Sequence, residues 1–170
     1  MPEFHELLAG EEFSFDQWTE RDKIAYAAGV IDGEGCITVQ RNTHRGFRLY
    51  VQVSQHIKGW PLLDFLKDHM SAKCDNFYRP PGNRALKRTA FWGGQPAYLF
   101  LKKIRPFLLI KSKQADLGVE FQEQINSVSV PHWNWGHMVD WNTEMIQFAE
   151  SIRSRIQSLN SRGRNQQMFF

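Results

Sequence analysis

Between Ile37 and Ser54 the chain alternates apolar and polar residues twice, once on each side of Arg45-Gly46. Ile37 and Val39 alternate with Thr38, Gln40, Asn42 and His44. Phe47, Leu49, Val51 and Val53 then alternate with Arg48, Tyr50, Gln52 and Ser54. A period of two on both arms of a turn predicts an antiparallel hairpin with one buried and one exposed face. The exposed face is rich in long hydrogen-bonding side chains. A second hairpin is expected over residues 73–79 and 85–92, turning at Pro80-Pro81-Gly82-Asn83. Its facing is ambiguous, because Lys87 and Arg88 fall on opposite faces.

Helices fill the spaces between. Thr19 followed by Asp22 reads as an N-cap with an acid three residues on, opening a helix over 20–32. Gly33-Glu34-Gly35 ends it, glycine supplying backbone conformations that other residues resist. Ile24, Ala27 and Ile31 form one stripe of this helix. Ala25, Ala28, Gly29 and Asp32 form a second, of small residues that admit another backbone closely. Further helices are expected over 62–69, 95–104 and 108–125, with a break at Arg105-Pro106. Met138, Trp141, Met145, Phe148, Ile152, Ile156 and Leu159 recur at spacings of three and four, an amphipathic helix packed on the body. The expected organisation is an N-terminal extension (1–18), a core (19–127), a C-terminal loop and helix (128–160) and a flexible tail (161–170). The order helix, hairpin, helix, hairpin, helices predicts an α+β fold, a four-stranded antiparallel sheet with helices on one face and the other face open.

Charge points to a partner for that open face. Residues 36–113 hold fifteen of the 21 Lys and Arg but three of the 18 Asp and Glu, for a local net charge of +12 within a chain of net +3. A basic middle between acidic flanks suggests a polyanion-binding face. The apolar run 106–110 is too short to span a bilayer, and the acidic N-terminus is not a secretory signal, so no membrane partner is expected. Two cysteines make neither a disulfide framework nor a zinc site.

The segment Ala27-Ala28-Gly29-Val30-Ile31-Asp32-Gly33-Glu34-Gly35 resembles the LAGLIDADG signature of homing endonucleases. The hairpin that follows, Gln52-Val53-Ser54-Gln55, and Arg105-Pro106-Phe107-Leu108 through Lys111-Ser112-Lys113-Gln114-Ala115 extend the likeness to the single-motif members. Ala27 stands where leucine is usual, and Glu34 where aspartate is usual. The basic residue that often follows the Gln55 position has its nearest counterpart in Lys58, at a shifted spacing.

The resemblance implies an αββαββα fold with a saddle-shaped sheet. It also implies metal-dependent hydrolysis of double-stranded DNA at a long target, leaving short 3′ overhangs, as in intron homing. Mg²⁺ prefers hard oxygen ligands and keeps several waters, so a carboxylate at a helix end beside glycine carbonyls suits it. Glu34 is the expected metal ligand, with the Gly33 carbonyl beside it. Mn²⁺ is expected to substitute, and Ca²⁺ to support binding without cleavage. Gln55, read as closing the exposed face of the second strand, is expected to orient the attacking water. Lys111 matches the family's active-site lysine, and Lys113 is a second candidate. Asp32 reads as structural, hydrogen-bonding backbone groups at the helix end. The chain carries one copy of the motif, so Ala25, Ala28 and Gly29 are expected to meet a second copy about a two-fold axis. Such a homodimer would read a near-palindrome of about 20 base pairs. Thr38, Gln40, Asn42, His44, Arg48, Tyr50 and Gln52 are the expected DNA readers, with Arg79, Arg84 and Arg88 serving the second hairpin. The alternative is a non-cutting DNA-binding regulator, or a splicing maturase with intron RNA as partner. The compartment is left open between bacterial cytoplasm and organelle.

Overall fold

The computed structural model describes residues 15–42, 46–75, 87–128 and 141–165. Helix α1 (Glu20–Glu34) opens on the expected capping box. The Asp22 N–H donates to the Thr19 hydroxyl at 3.2 Å, and the Thr19 N–H donates to the Asp22 carboxylate at 3.0 Å. Two donors that the helix start would leave orphaned are thereby satisfied. The helix runs two residues past Asp32. Its capping residue, Gly35, is extended (φ −79°), so the glycine does not supply the special backbone conformation expected of it. It is needed for clearance: a Cβ there would lie 2.7 Å from both the Cα and the carbonyl oxygen of Ile31.

Strand β1 (Gly35–Asn42) therefore leaves the helix with no loop between them. It pairs antiparallel with β2 (Gly46–His56), Ile37 opposite Val51 and Gly35 opposite Val53. Ile37, Val39, Leu49, Val51 and Val53 are all buried and face the helices, as the alternation requires. β3 (Lys73–Cys74) and β4 (Lys87–Gly93) complete a four-stranded antiparallel sheet of order β1-β2-β4-β3. The αββαββα order is the expected one. The second hairpin's turn lies outside the described residues, with Arg79 and Arg84; so does His44.

Helices α2 (Trp60–Met70), α3 (Gln95–Ile104), α4 (Ser112–Ser127) and α5 (Thr143–Asn165) supply the rest of the core through Leu63, Leu66, Leu101, Ile104, Phe121, Ile152 and Ile156. Trp92 of β4 stacks on Phe100 at 3.8 Å and donates its indole N–H to the Met70 carbonyl at 2.8 Å, locking the sheet to α2 and α3. Besides the longer α1, α2 spans Trp60–Met70 rather than 62–69, α5 starts at Thr143, after Trp141, and two further boundaries differ more. α4 begins at Ser112 rather than 108, because Pro106 sits in a 3-10 turn (Arg105–Phe107) and residues 108–111 leave the helix. α5 runs on to Asn165, through residues read as tail. Its Asn160 donates to the Ile37 carbonyl of β1 at 3.1 Å. No helix of the described residues is long and apolar enough to cross a membrane.

Besides Asp32, near the end of α1, two carboxyls sit below their ordinary value. Hydrogen bonds from the Thr19 hydroxyl and N–H lower Asp22. The Arg105 guanidinium, donating from Nη2 to Asp116 at 2.8 Å, lowers Asp116. A carboxyl depressed in the folded state gives stability that is complete above its unfolded value of about 3.9 and lost as pH falls through the folded value. Unfolding by urea should therefore show stability falling below about pH 4, and an Asp22→Asn/Asp116→Asn variant should show a shallower fall. An unchanged slope would place the acid sensitivity elsewhere. Gly35→Ala should cost about 1–3 kcal/mol in the same assay, because the added methyl has no room.

Candidate active site and nucleic-acid interface

The end of α1 and the start of α4 hold each other. The Asp32 carboxylate accepts three backbone N–H groups, from Leu109 (2.7 Å), Ile110 (3.2 Å) and Lys111 (2.8 Å). In return the Lys111 ammonium donates to the carbonyls of Ile31 (2.9 Å) and Asp32, satisfying acceptors that a helix C-terminus leaves open. Asp32 is structural, as expected, but its partners lie almost 80 residues along the chain rather than at its own helix end. Partial burial pushes the Asp32 carboxyl up, yet the three N–H donors and Lys111 outweigh it, and the net displacement is downward. Burial pulls the Lys111 ammonium below the usual lysine value, against the pull of Asp32, Cys36 and Glu34.

Glu34 lies near enough for its charge to act on the Lys111 ammonium, with no ion pair between them. Glu34 is the last residue of α1 rather than one past it. Its side chain is exposed, and among the described residues it makes no hydrogen bond or ion pair. Gly33, beside it, is also exposed. Gln55 is not on the exposed face expected of it, since it shares the parity of Val51 and Val53. It pairs with Arg88 on the helix side of the sheet, and its side chain lies over Gly59: a Cβ there would meet the Gln55 Oε1 at 2.9 Å. Lys58 is exposed in the 3-10 turn that follows. Lys113 is exposed in the first turn of α4.

The open face of the sheet follows from register. Gln40 lies opposite Arg48; Thr38, Tyr50 and Gly93 form one row; Cys36, Gln52, Phe91 and Lys73 form the next. Asn42 stands at the exposed end of β1. Thr38, Gln40, Asn42, Arg48, Tyr50 and Gln52 are therefore on the face expected of them. Ser54 and Thr89 extend it, joined hydroxyl to hydroxyl at 2.7 Å. Arg88 does not belong to it. Its guanidinium is turned toward α2 and paired with Asp64 at 2.7 Å, so it is unavailable to DNA on the open side. Cys36, Lys73 and Phe91 went unassigned in the sequence. The signal was the spacing of Ala90 and Trp92, both buried, which puts 87, 89 and 91 outward.

Among the described residues the outward side of α1 is uncovered. A Cβ at Gly29 or Gly33 would have no atom within 4 Å, and Tyr26 is 39% exposed. Beside the helix end, Leu109 and Ile110 are 87% and 73% exposed, held by Asp32. Ala28 is fully buried in its own core. It belongs with Ala27 and Ile31, and the outward small residues are Ala25, Gly29 and Gly33.

Asp32→Ala should cost about 1–3 kcal/mol in urea unfolding, because three backbone donors lose their acceptor. Glu34→Ala should change stability by less than about 0.5 kcal/mol, the usual range for a surface side chain. Equal losses would mean that Glu34 carries structural contacts and is not free for a ligand.

No family model matches the chain. It is similar to DNA endonuclease I-CreI of Chlamydomonas reinhardtii, 24% identical over 157 residues, covering 84% of this chain and 93% of that protein. Among solved structures, homing endonuclease I-CvuI in complex with its target in the presence of calcium matches with a TM-score of 0.64 at 19% identity, over 82% of this chain and 83% of that one. LAGLIDADG homing endonuclease I-GzeII in complex with a DNA target matches with a TM-score of 0.55 at 17% identity, over 76% of this chain and 43% of that one. With the motif in α1 and the αββαββα order of elements, this chain has the fold of the LAGLIDADG homing endonucleases.

Proposed function

We propose that this chain is a site-specific endonuclease of double-stranded DNA that works with a divalent metal as a homodimer. The observation that carries the reading is the Glu34 carboxylate, unengaged and fixed at the end of α1 beside the Lys111 ammonium and the open polar sheet face. The donor set fits Mg²⁺: a carboxylate oxygen from Glu34 and the backbone carbonyl of Gly33 are hard ligands. Among the described residues no three His, Cys, Asp or Glu side chains gather into a metal cage, which suits an ion that keeps waters and takes phosphate oxygens from the substrate. Bound there, the metal would supply Lewis-acid stabilisation of phosphate charge and a more acidic water.

The chain's own residues supply the rest. Two Lys111 donors are used on α1 carbonyls, which fixes the ammonium and leaves its third N–H for a phosphate oxygen. Thr38, Gln40, Asn42, Arg48, Tyr50 and Gln52 face a duplex laid on the sheet, where their donors and acceptors suit major-groove base edges. Ala25, Gly29 and Gly33 leave room for the same helix of a second copy, with Leu109 and Ile110 beside it. A two-fold arrangement would bring two Glu34 carboxylates close together and make the target a near-palindrome of about 20 base pairs.

The test is a plasmid carrying the rejoined flanks of the gene's own insertion site, incubated with Mg²⁺ and with EDTA. Linear product in Mg²⁺ alone is expected. Glu34→Gln should lower cleavage by orders of magnitude while affinity in Ca²⁺ stays within about tenfold, since affinity comes mainly from backbone contacts. Binding without cleavage by the unmodified protein would instead favour the non-cutting regulator. Sedimentation should find a dimer, and Gly29→Leu should abolish both dimer and cleavage. A monomer at micromolar concentration that still cuts both strands would overturn the assembly.

A further inference from the structure

The Arg48 guanidinium is exposed on the open face, yet it is not loose. Its Nη2 donates to the Gly93 carbonyl at 3.2 Å, and its Cζ lies 5.4 Å from the centre of the Tyr50 ring. Tyr50 and Gly93 are direct partners across β2 and β4. The space this arrangement occupies is the space a side chain at 93 would need. A Cβ there would fall 2.9 Å from Tyr50 Cε1, 3.1 Å from Arg48 Nε and 3.3 Å from Arg48 Cζ. Gly93 itself has an ordinary backbone, and the left-handed residue is its neighbour, Gly94 (φ 64°). Nothing in the backbone demands glycine at 93. What demands it is the pair of side chains lying across it.

We infer that Gly93 is a positioning residue for base recognition: its bare backbone, together with the Tyr50 ring, holds the Arg48 guanidinium in one orientation on the sheet, so that its remaining donors read a single guanine in the target. This rests on the reading of the open face as a DNA interface. An arginine fork has five N–H donors, of which the Gly93 carbonyl takes one. Two of the others suffice for the O6 and N7 of guanine. A long side chain normally loses its rotamer freedom when it binds. Here that freedom is already gone, so the fork meets the base with little further ordering. Beside it lies a cavity of about 220 Å³ whose lining includes Arg48, Tyr50, Lys73, Phe91 and Gly93. A residue that acts only as a tie between β2 and β4 would be expected to weaken binding to every sequence equally when disturbed.

The experiment selects double-stranded DNA from a randomised library with the full chain in Ca²⁺, then measures affinity for every single-base variant of the selected site. Arg48→Ala should lose about tenfold preference for guanine at one base pair and its symmetry mate. Gly93→Ala should lose preference at that same pair and nowhere else, and should add nothing when combined with Arg48→Ala. Tyr50→Leu, which removes the ring without crowding the strand, should shift the same pair. Tyr50→Phe, which keeps the ring and removes the hydroxyl, should leave that pair unshifted, and the contrast between the two Tyr50 variants decides the matter if the melting curve shows that Gly93→Ala does not fold. Unchanged preference at that pair in Gly93→Ala and Tyr50→Leu, or an equal loss for all sequences, overturns the inference while the endonuclease reading stands. A wild-type chain that selects no sequence overturns both.

Discussion

The exchange between Asp32 and Lys111 holds the candidate site together. One carboxylate gathers three backbone N–H groups from the segment after α3, and the ammonium of that segment returns to the last carbonyls of α1. A helix end, a connecting segment and the start of α4 are thereby held as one body. Gly35 adds the other constraint, since β1 leaves α1 with no slack. Glu34 lies between these two fixed points. Its side chain makes no hydrogen bond among the described residues, but its backbone is held by the elements on either side. The result is a free charge on a rigid mount, which is what preorganised electrostatic stabilisation requires.

The parts of this arrangement that the sequence displayed are those with a local period. The Thr19–Asp22 cap, the inward set Ile37 to Val53 and the spacing of Ile152 and Ile156 are local patterns, and each is realised as read. Arg88, Gln55 and Ala28 are settled by pairing and packing, although strand parity alone already sets the first two on the inner face. Arg88 looked like a DNA contact until register placed it over Asp64 of α2. Gln55 shares the parity of Val51 and Val53, and the pairing with β4 keeps it on their side, facing the helices. Ala28 was grouped with small residues facing outward, and packing against the sheet claimed it. The bond from Asp32 to Leu109, Ile110 and Lys111 spans too much chain for spacing to reveal it.

The uneven charge is also resolved by folding. Several of the basic residues between 36 and 113 do not face the open side at all. Lys103 lies near Glu20, Lys102 near Glu123, Arg41 near Glu150 and Arg105 near Asp116. The acidic flanks thus wrap back over the helix layer and offset part of the basic middle there. Each such surface pair adds little stability, but together they sort charge between faces. Among the described residues Arg48, Lys73 and Lys87 remain on the sheet side, with Asp75, opposite Thr89, as the acid at its edge. The positive character of the open face is thus produced by the fold as much as by composition.

The tie between Asn160 and the Ile37 carbonyl has a consequence beyond packing. Among the described residues β1 pairs with β2 alone, so it is an edge of the sheet, and a free edge is a template onto which another chain can add a strand. α5 lies against that strand, and its amide occupies one of the main-chain acceptors. The opposite edge, β3, spans two residues among those described. The C-terminal helix therefore stands against the addition of a strand at the β1 edge.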